Sequence, residues 1–226
     1  RSTVHRLLRS LVRQGWVEKP PATATYRLGI RFLALAHVAT QSRSFLDEIR
    51  GELEGLSQLT RETIHVGIRD GFEVLHIERI DSPERVGVAS KIGGRATLHT
   101  TGLGKAMLAA SDDAFLDDYF SHVEREEVAP RIDTEMLRFE INLTRRRGYS
   151  IDDEDDSVGV RCLGVAILGA GGTPLFAVSI TGPSPRFTRE HVLRYAPAAR
   201  ETARMLSRNL GWEGAGDLSP DDELSS

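Results

Sequence analysis

The chain has 226 residues, 27% charged and 40% hydrophobic, a balance that suits a soluble globular protein of one large or two small domains. No apolar run approaches the ~18 residues of a membrane helix, Arg1-Ser2-Thr3 does not open a signal-like apolar core, and the single cysteine, Cys162, forbids an intrachain disulfide and fits a reducing cytoplasm. The net charge of −4 is uneven: residues 1–31 carry seven Lys/Arg against one acid, Glu18, so a basic end of +6 is joined to a body of −10, which suggests that the end meets a polyanion.

Ser2–Gln14 carries Val4, Leu7, Leu8, Leu11 and Val12 at helical spacing, with Ser2 or Thr3 as the starting cap and Gly15 as the stop. The other face carries Arg6, Arg9, Ser10 and Arg13. A short helix with an apolar rear and an Arg/Ser/Thr/His front suits a DNA major groove, because arginine forks onto guanine and onto phosphate. The plain alternative is an amphipathic surface helix. Trp16-Val17-Glu18, Pro20-Pro21 and Thr25-Tyr26-Arg27-Leu28 then read as strand, turn and strand, the outline of a wing. Ile30–Arg50 reads as helix through Ile30, Leu33, Ala34, Val38 and Ala39. Asp47–Leu59 continues it with the stripe Leu46, Ile49, Leu53, Leu56 and Leu59.

Thr63–Arg69 and Glu73–Ile80 read as strands around an Asp70-Gly71 hairpin turn, and Arg85–Ser90 as a third strand. A meander followed by helices makes the fold class α+β, with an antiparallel sheet. Gly102-Leu103-Gly104-Lys105 invites a phosphate-loop test, which it fails. A Walker A motif needs glycine where His99 stands and Ser or Thr where Ala106 stands, and Met107 occupies the third glycine of a dinucleotide fingerprint. No cofactor is implied. What remains is a helix start near Thr101–Gly104, whose free N–H groups favour an anion. His99 reads as structural rather than as a pocket edge. Asp112–Phe120 and Asp133–Arg147 read as helices, the second with Leu137, Ile141 and Thr144 inward and Arg145-Arg146-Arg147 suited to its C-terminal dipole. The run Asp152–Asp156 lacks the spacing and glycine of a calcium loop and reads, for the most part, as a solvated acidic loop.

Two apolar strands follow, Arg161–Leu168 and Pro174–Thr181, joined by the turn Gly169-Ala170-Gly171-Gly172. Alternation puts Cys162, Gly164, Ala166 and Leu168 on one face of the first. In the second, Leu175, Ala177, Ser179 and Thr181 share a face opposite Phe176, Val178 and Ile180. Small polar residues among small neighbours describe a ligand-pocket floor. They equally describe a half-exposed hairpin with its polar face in water, the stronger reading on periodicity alone. Arg189–Leu210 reads as a closing helix with Val192, Tyr195, Ala199, Ala203 and Leu206 inward. Gly214–Ser226 is expected to be disordered.

The segments STVHRLLRSLVRQGWV, YRLG at Tyr26–Gly29, GGRATLHTTGLGKAMLA at Gly93–Ala109, and RRRGYSIDDEDDSVGVRCLGVAI with PLFAVSITGP closely resemble the IclR family of bacterial transcription regulators. They keep the family's order and, with the stretches between them, cover Ser2 to about Leu210. The resemblance implies four parts: the recognition helix and wing of a winged helix-turn-helix over 1–29, a linker helix over 30–46 that helps dimers form, a GAF-like effector domain over 47–210 and a tail over 211–226. It also implies that the first helices of the DNA-binding domain are missing, as in a truncated record.

By resemblance, operator DNA would be met by Ser2, Thr3, His5, Arg6, Arg9 and Arg13. The effector pocket would include Val88, Ala96, Gly102, Leu103, Asp152, Val160, Cys162, Ser179 and Thr181. Of the acidic run, only Asp152 is singled out. Val88, Ala96 and Val160 would wall the pocket. Backbone N–H of Gly102 and Leu103, with the Ser179 and Thr181 hydroxyls, would hold a carboxylate. Asp152 would repel that group and so is expected to accept from a hydroxyl or amine, which favours a small organic acid with a hydroxyl, or its keto relative. Thr181 replaces the family's common serine, and Thr97 its usual proline. The expectation is a cytoplasmic regulator, more a repressor than an activator, acting as a homodimer or tetramer without a membrane partner. The runner-up is a stand-alone sensor or dimerisation module without DNA binding. An enzyme is disfavoured, since Ser179 lies in no G-x-S-x-G elbow, Cys162 has no evident His partner, and the seven histidines are scattered without metal-ligand spacing.

Overall fold

The computed structural model describes residues 2–20, 25–32, 44–88, 90–125 and 133–214. The chain divides into two compact units, Arg1–Arg50 and Gly51–Ser226.

In the first unit, α1 spans Ser2–Arg13 and ends at Gly15, whose φ of 75° lets the Trp16 N–H turn back to the Leu11 carbonyl. Two short strands, β1 (Val17–Glu18) and β2 (Arg27–Leu28), pair antiparallel as a wing. Glu18 and Arg27 join across them at 2.7 Å. The wing returns to the helix end at Gly29, whose N–H donates to the Trp16 carbonyl. A Cβ on Gly29 would lie 2.2 Å from the Gly15 carbonyl oxygen, so only glycine permits this approach. The long helix expected over Ile30–Arg50 falls largely on residues outside those described. The tail beyond Gly214 does so entirely.

The second unit is built on a six-stranded, wholly antiparallel sheet in the order β5-β4-β3-β8-β7-β6. Its strands are β3 (Thr63–Asp70), β4 (Glu73–Ile80), β5 (Arg95–Thr97), β6 (Ser150–Asp153), β7 (Val160–Leu168) and β8 (Pro174–Pro183). Helix α2 (Ser44–Thr60), which runs across the boundary between the two units, precedes them. Three helices, α3 (Gly102–Ala110), α4 (Asp113–Arg125) and α5 (Thr134–Arg147), lie between β5 and β6, and α6 (Arg189–Asn209) closes the unit.

Both expected hairpins form. Asp70-Gly71 turns β3 into β4 with Gly71 at φ 64°. Gly169–Thr173 turns β7 into β8 with Gly172 at φ 72°. The third strand is corrected. Residues Arg85–Val88 form no ladder, and β5 lies ten residues later at Arg95–Thr97. The edge of β4 is already taken there, by β5 at Glu73–Leu75 and by Gly93 and Gly94, which exchange hydrogen bonds with His76. The strand β6 was not expected at all, because its residues read as the start of an acidic loop.

One face of the sheet is apolar across its central strands. Ile64 and Val66 of β3, Leu163, Val165 and Ile167 of β7, and Phe176, Val178 and Ile180 of β8 are all buried on it. Helix α6 packs against β7, with Val192, Ala196, Ala199, Ala203 and Leu206 buried and the Ser207 hydroxyl accepting the Leu168 N–H at 2.9 Å. Ala196 takes the inward place expected of Tyr195, which is half-buried and stacked on His191. On α2 the buried stripe is Ile49, Leu53, Leu56 and Thr60. Leu59 is 55% exposed, because the helical period from Leu56 lands on Thr60. Each buried aliphatic side chain contributes on the order of 1.5–3 kcal/mol, so this face carries much of the unit's stability.

The opposite face carries α3. It makes an unusually close approach, which explains the GxG pattern without any phosphate. A Cβ on Gly164 of β7 would sit 2.1 Å from the Gly102 carbonyl oxygen, and one on Gly104 would sit 2.3 Å from the Leu98 carbonyl oxygen. The Ser150 hydroxyl of β6 donates to the same Gly102 carbonyl at 2.6 Å. The start of α3 is thereby pressed onto the middle of β6 and β7.

A polar cluster beneath a helix start, and a basic helix

Where α3 meets the sheet, four neighbouring strands present polar side chains in two adjacent rows. Register pairs Asp152 with Cys162, Cys162 with Thr181, and Thr181 with Thr63. The next row pairs Ser150 with Gly164, Gly164 with Ser179, and Ser179 with His65. Gly102 touches this surface, since a Cβ there would lie 2.9 Å from the Cys162 Cβ. The Thr101 side chain caps α3 by accepting the Gly104 N–H at 3.0 Å. Among the described residues no group accepts the Gly102 or Leu103 N–H, so both remain available to an anion at the positive end of the helix.

Of the nine residues expected to bind effector, Gly102, Asp152, Cys162, Ser179 and Thr181 are therefore contiguous. Leu103 turns its side chain into a core with Val74, Leu98 and Met107, so only its backbone can face the cluster. Ala96 packs against that same core from β5. Val160 opens β7 opposite Pro183, and Val88 lies half-buried in the irregular segment after β4, so these three stand at the margin. Two cavities, of about 330 and 370 Å³, lie away from the cluster. One is lined by Arg145, Arg200, Arg204 and Trp212, the other by Phe72, Tyr119 and His122.

The polar groups are linked. The Thr181 hydroxyl donates to Cys162 Sγ at 3.4 Å, lies 3.2 Å from the Ser179 hydroxyl and 3.2 Å from His65 Nδ1. Cys162 in turn stands opposite Asp152 in the β6–β7 ladder. Burial, then the Asp152 charge, push the Cys162 thiol well up, which makes it a protonated donor and no nucleophile. Asp152 is 1% exposed. Burial raises its carboxyl to about 6, against the opposing donors Cys162, Asp155 N–H and Asp156 N–H and the charge of Lys105.

The acidic run is solvated only in part: Asp155 and Asp156 are exposed, yet the run is held by hydrogen bonds along its length. Asp152 Oδ1 accepts the Asp155 N–H at 2.9 Å, Asp153 is clamped by Arg161 and Arg189, and Glu154 accepts the Gly159 N–H at 2.7 Å. Asp156 accepts from the Thr100 hydroxyl at 3.1 Å, and Asp155 binds Lys105 Nζ at 2.6 Å. Lys105 is the residue that sequence reasoning missed here. Its buried ammonium also reaches Glu140 at 2.8 Å and the Ile151 carbonyl at 3.2 Å, pinning the loop to α3 and α5. Burial works against that charge, but the hydrogen bonds to Asp155 and Glu140 outweigh it and raise the pKa. The lysine of the rejected phosphate motif is thus a structural tie.

The histidines are not all scattered either. His65 and His76 meet edge-to-face with ring centroids 5.6 Å apart. The Asp70-Gly71 turn sets that register, pairing Gly67 with His76, so that strand period two puts His65 on the same face. His99 is fully buried, with Nδ1 2.7 Å from the Tyr119 hydroxyl, a structural position. Among the described residues no three His, Cys, Asp or Glu side chains gather as a metal site.

In the first unit, α1 exposes Thr3, His5, Arg6, Arg9 and Arg13, and Ser2 opens the helix. Positions 2, 6, 9 and 13 recur at helical spacing on one face. Val4 and Leu7, which read as its apolar rear, are also exposed.

A basic helix with a wing, followed by an α+β unit holding a buried polar cluster, defines a DNA-binding transcription regulator with a sensory domain. Residues 37–208 match the family described as bacterial transcriptional regulator IclR, C-terminal, and residues 1–21 match the IclR helix-turn-helix domain. The chain belongs to the IclR family of transcriptional regulators. It is 32% identical over 214 residues to the HTH-type transcriptional regulator KdgR of Dickeya chrysanthemi, covering 94% of this chain and 70% of that protein. It is 27% identical to the transcriptional repressor IclR of Escherichia coli K12, covering 93% of this chain and 78% of that one. A solved IclR-type regulator from Silicibacter sp. TM1040 superposes with a TM-score of 0.80 at 28% identity, over 93% of this chain and 84% of its own.

Proposed function

We propose that the protein is a cytoplasmic repressor, working as a homodimer or tetramer, whose operator affinity is set by a small organic acid bound at the polar cluster. Its parts would be a DNA-binding segment over 1–29, a linker helix over 30–46, an effector domain over 47–210 and a tail over 211–226. The repressor reading is supported by the names of two relatives from Escherichia coli, the transcriptional repressors IclR and AllR. The effector reading is carried by one observation: two N–H groups at the start of α3, with no acceptor among the described residues, lie over a buried row of Asp152, Cys162, Thr181 and Ser179. The N–H groups and hydroxyls suit a carboxylate, while Asp152, with its neighbours already donating to it, suits a ligand hydroxyl. Val88, Ala96 and Val160 would close the margins, and the Leu103 contribution would be its N–H.

The ligand can alter operator binding only by binding two arrangements of the protein with different affinity. Thermal unfolding against a panel of hydroxy, keto and aromatic acids tests the site. A ligand at about a hundred times its dissociation constant adds about 2.7 kcal/mol, and Asp152→Ala should abolish that shift. A shift unchanged in Asp152→Ala removes the cluster from the site. On the DNA side, Arg6→Ala and Arg9→Ala in the full-length protein should weaken operator binding and leave the acid's affinity intact. Equal loss of both would overturn the division of labour.

A further inference from the structure

We propose that His65 and His76 together bind a hydroxyl of the effector, so that this regulator responds to a hydroxy acid and rejects the corresponding keto acid. The proposal rests on the effector site described above and adds a specificity end to it. It follows from counting protons along the buried network. The Thr181 hydroxyl has one proton and donates it to Cys162 Sγ. Thr181 Oγ1 is therefore an acceptor towards His65, and the 3.2 Å contact requires that His65 Nδ1 carries the proton. A neutral imidazole has only one, so His65 Nε2 is a bare lone pair.

That nitrogen is buried and has no partner among the described residues. Neither has Nδ1 of His76, whose ring stands 5.6 Å away, edge-to-face. His65 is only 3% exposed. An unmet buried polar atom is costly, and here two lie on neighbouring rings beside a hydrogen-bonded row of hydroxyls. A group that answers His65 must donate to its Nε2, and one that also accepts answers His76 in the tautomer protonated at Nδ1. A hydroxyl does both. A ketone oxygen only accepts and would leave His65 unmet; a carboxylate fails for the same reason. Both rings stay neutral, since burial foremost lowers each, with the Arg79 charge adding to the effect on His65 and Asp156 opposing it on His76.

The test measures dissociation constants of the whole protein for three matched pairs: 3-hydroxybutyrate and acetoacetate, malate and oxaloacetate, 2-hydroxyglutarate and 2-oxoglutarate. The wild type should bind the hydroxy member of its preferred pair at least about tenfold more tightly. His65→Phe and His65→Asn, each checked for a cooperative unfolding transition, should bring the two members within about threefold, with the keto acid bound as well as before. Asp152→Ala should weaken both members. Equal affinity for the pair in the wild type overturns the histidine proposal and leaves the effector site standing, as does discrimination that survives both His65 variants, which would mean that a buried water satisfies the rings. No binding by any pair up to 10 mM (roughly the −3 kcal/mol level) counts against the effector site itself and takes this proposal with it.

Discussion

Replacing His65 should make the protein more resistant to acid, and the size of the effect follows from its surroundings. Burial, then the charges of His76 and Arg79, pushes the His65 imidazole from 6.5 down to about 3. Between those values the unfolded chain binds a proton that the native state refuses. Unfolding therefore takes up a proton, and stability falls as pH falls. The slope is at most about 1.4 kcal/mol per pH unit, so the whole gap corresponds to about 5 kcal/mol, and the interval from pH 6.5 to 4 to about 3 kcal/mol. Asp152 works the other way. Its carboxyl is raised from 3.8 to about 6, so its proton stabilises the native state below 3.8, and that contribution is lost as pH rises through 6, about 3 kcal/mol in all. In the wild type the two largely cancel; single variants separate them. Urea unfolding at fixed protein concentration, every half unit from pH 4 to 7, gives the curves. The stability of His65→Phe minus that of wild type should rise as pH falls, by about 3 kcal/mol. For Asp152→Asn the difference should fall as pH falls. A His65→Phe difference flat to within about 0.5 kcal/mol would refute the claim that a neutral histidine is buried there.

Gly164→Ala puts a Cβ 2.1 Å from the Gly102 carbonyl oxygen, with backbone on both sides. It should cost about 3 kcal/mol and lower the Tm by roughly 6–12 °C, with loss of any acid-induced shift; an unchanged Tm would mean that α3 does not press on β7. Lys105→Met removes a buried ammonium from Asp155 and Glu140, but those carboxylates are 44% and 36% exposed and can rehydrate. The expected loss in chemical denaturation is therefore about 1–3 kcal/mol rather than the 3–5 of a fully buried pair, together with faster proteolysis in the loop 152–159. Glu62→Gln breaks a two-pronged pair with Arg186, at 2.7 and 2.5 Å, in which the glutamate side chain is only 3% exposed. It should cost about 2 kcal/mol in the same assay, and a loss below about 0.5 would show that Arg186 does not hold it.

How far these features were legible in the sequence depends on whether local chemistry or a distant partner decides them. The hairpins β3–β4 and β7–β8 were legible because alternation and glycine turns are local signals. So was α5, where Asp133 caps the start and Gly148 at φ 76° ends it. Residues Ser150–Asp153 were not, because their strand character comes from pairing with β7, from the clamping of Asp153 by Arg161 and Arg189, and from Lys105 holding Asp155 beyond it. An acidic run reads as solvated unless its cations are known, and here they come from three different elements, two of them distant in the chain. Arg85–Val88 erred in the opposite sense. It has strand-like residues, but the β4 edge beside them was already occupied.

The candidate site divides along the same line. The face shared by Cys162, Ser179 and Thr181 could be drawn from alternation, and family resemblance added Gly102, Leu103 and Asp152. Neither route reached His65 and His76, although the means were present. Asp70-Gly71 fixes the β3–β4 register to a few possibilities, and carrying the pairing five residues back from the turn places both histidines on the face that β8 shares through His65 and Ser179. What alternation could not supply is the direction of the protons. That depends on Thr181 spending its hydroxyl on Cys162 and meeting His65 as an acceptor, and β3 and β8 become neighbours only once the sheet is assembled. A residue's place on a face is thus a local property, readable in advance. Whether its nitrogen is left wanting a donor belongs to the whole network, and it is the network, rather than any one side chain, that selects the ligand.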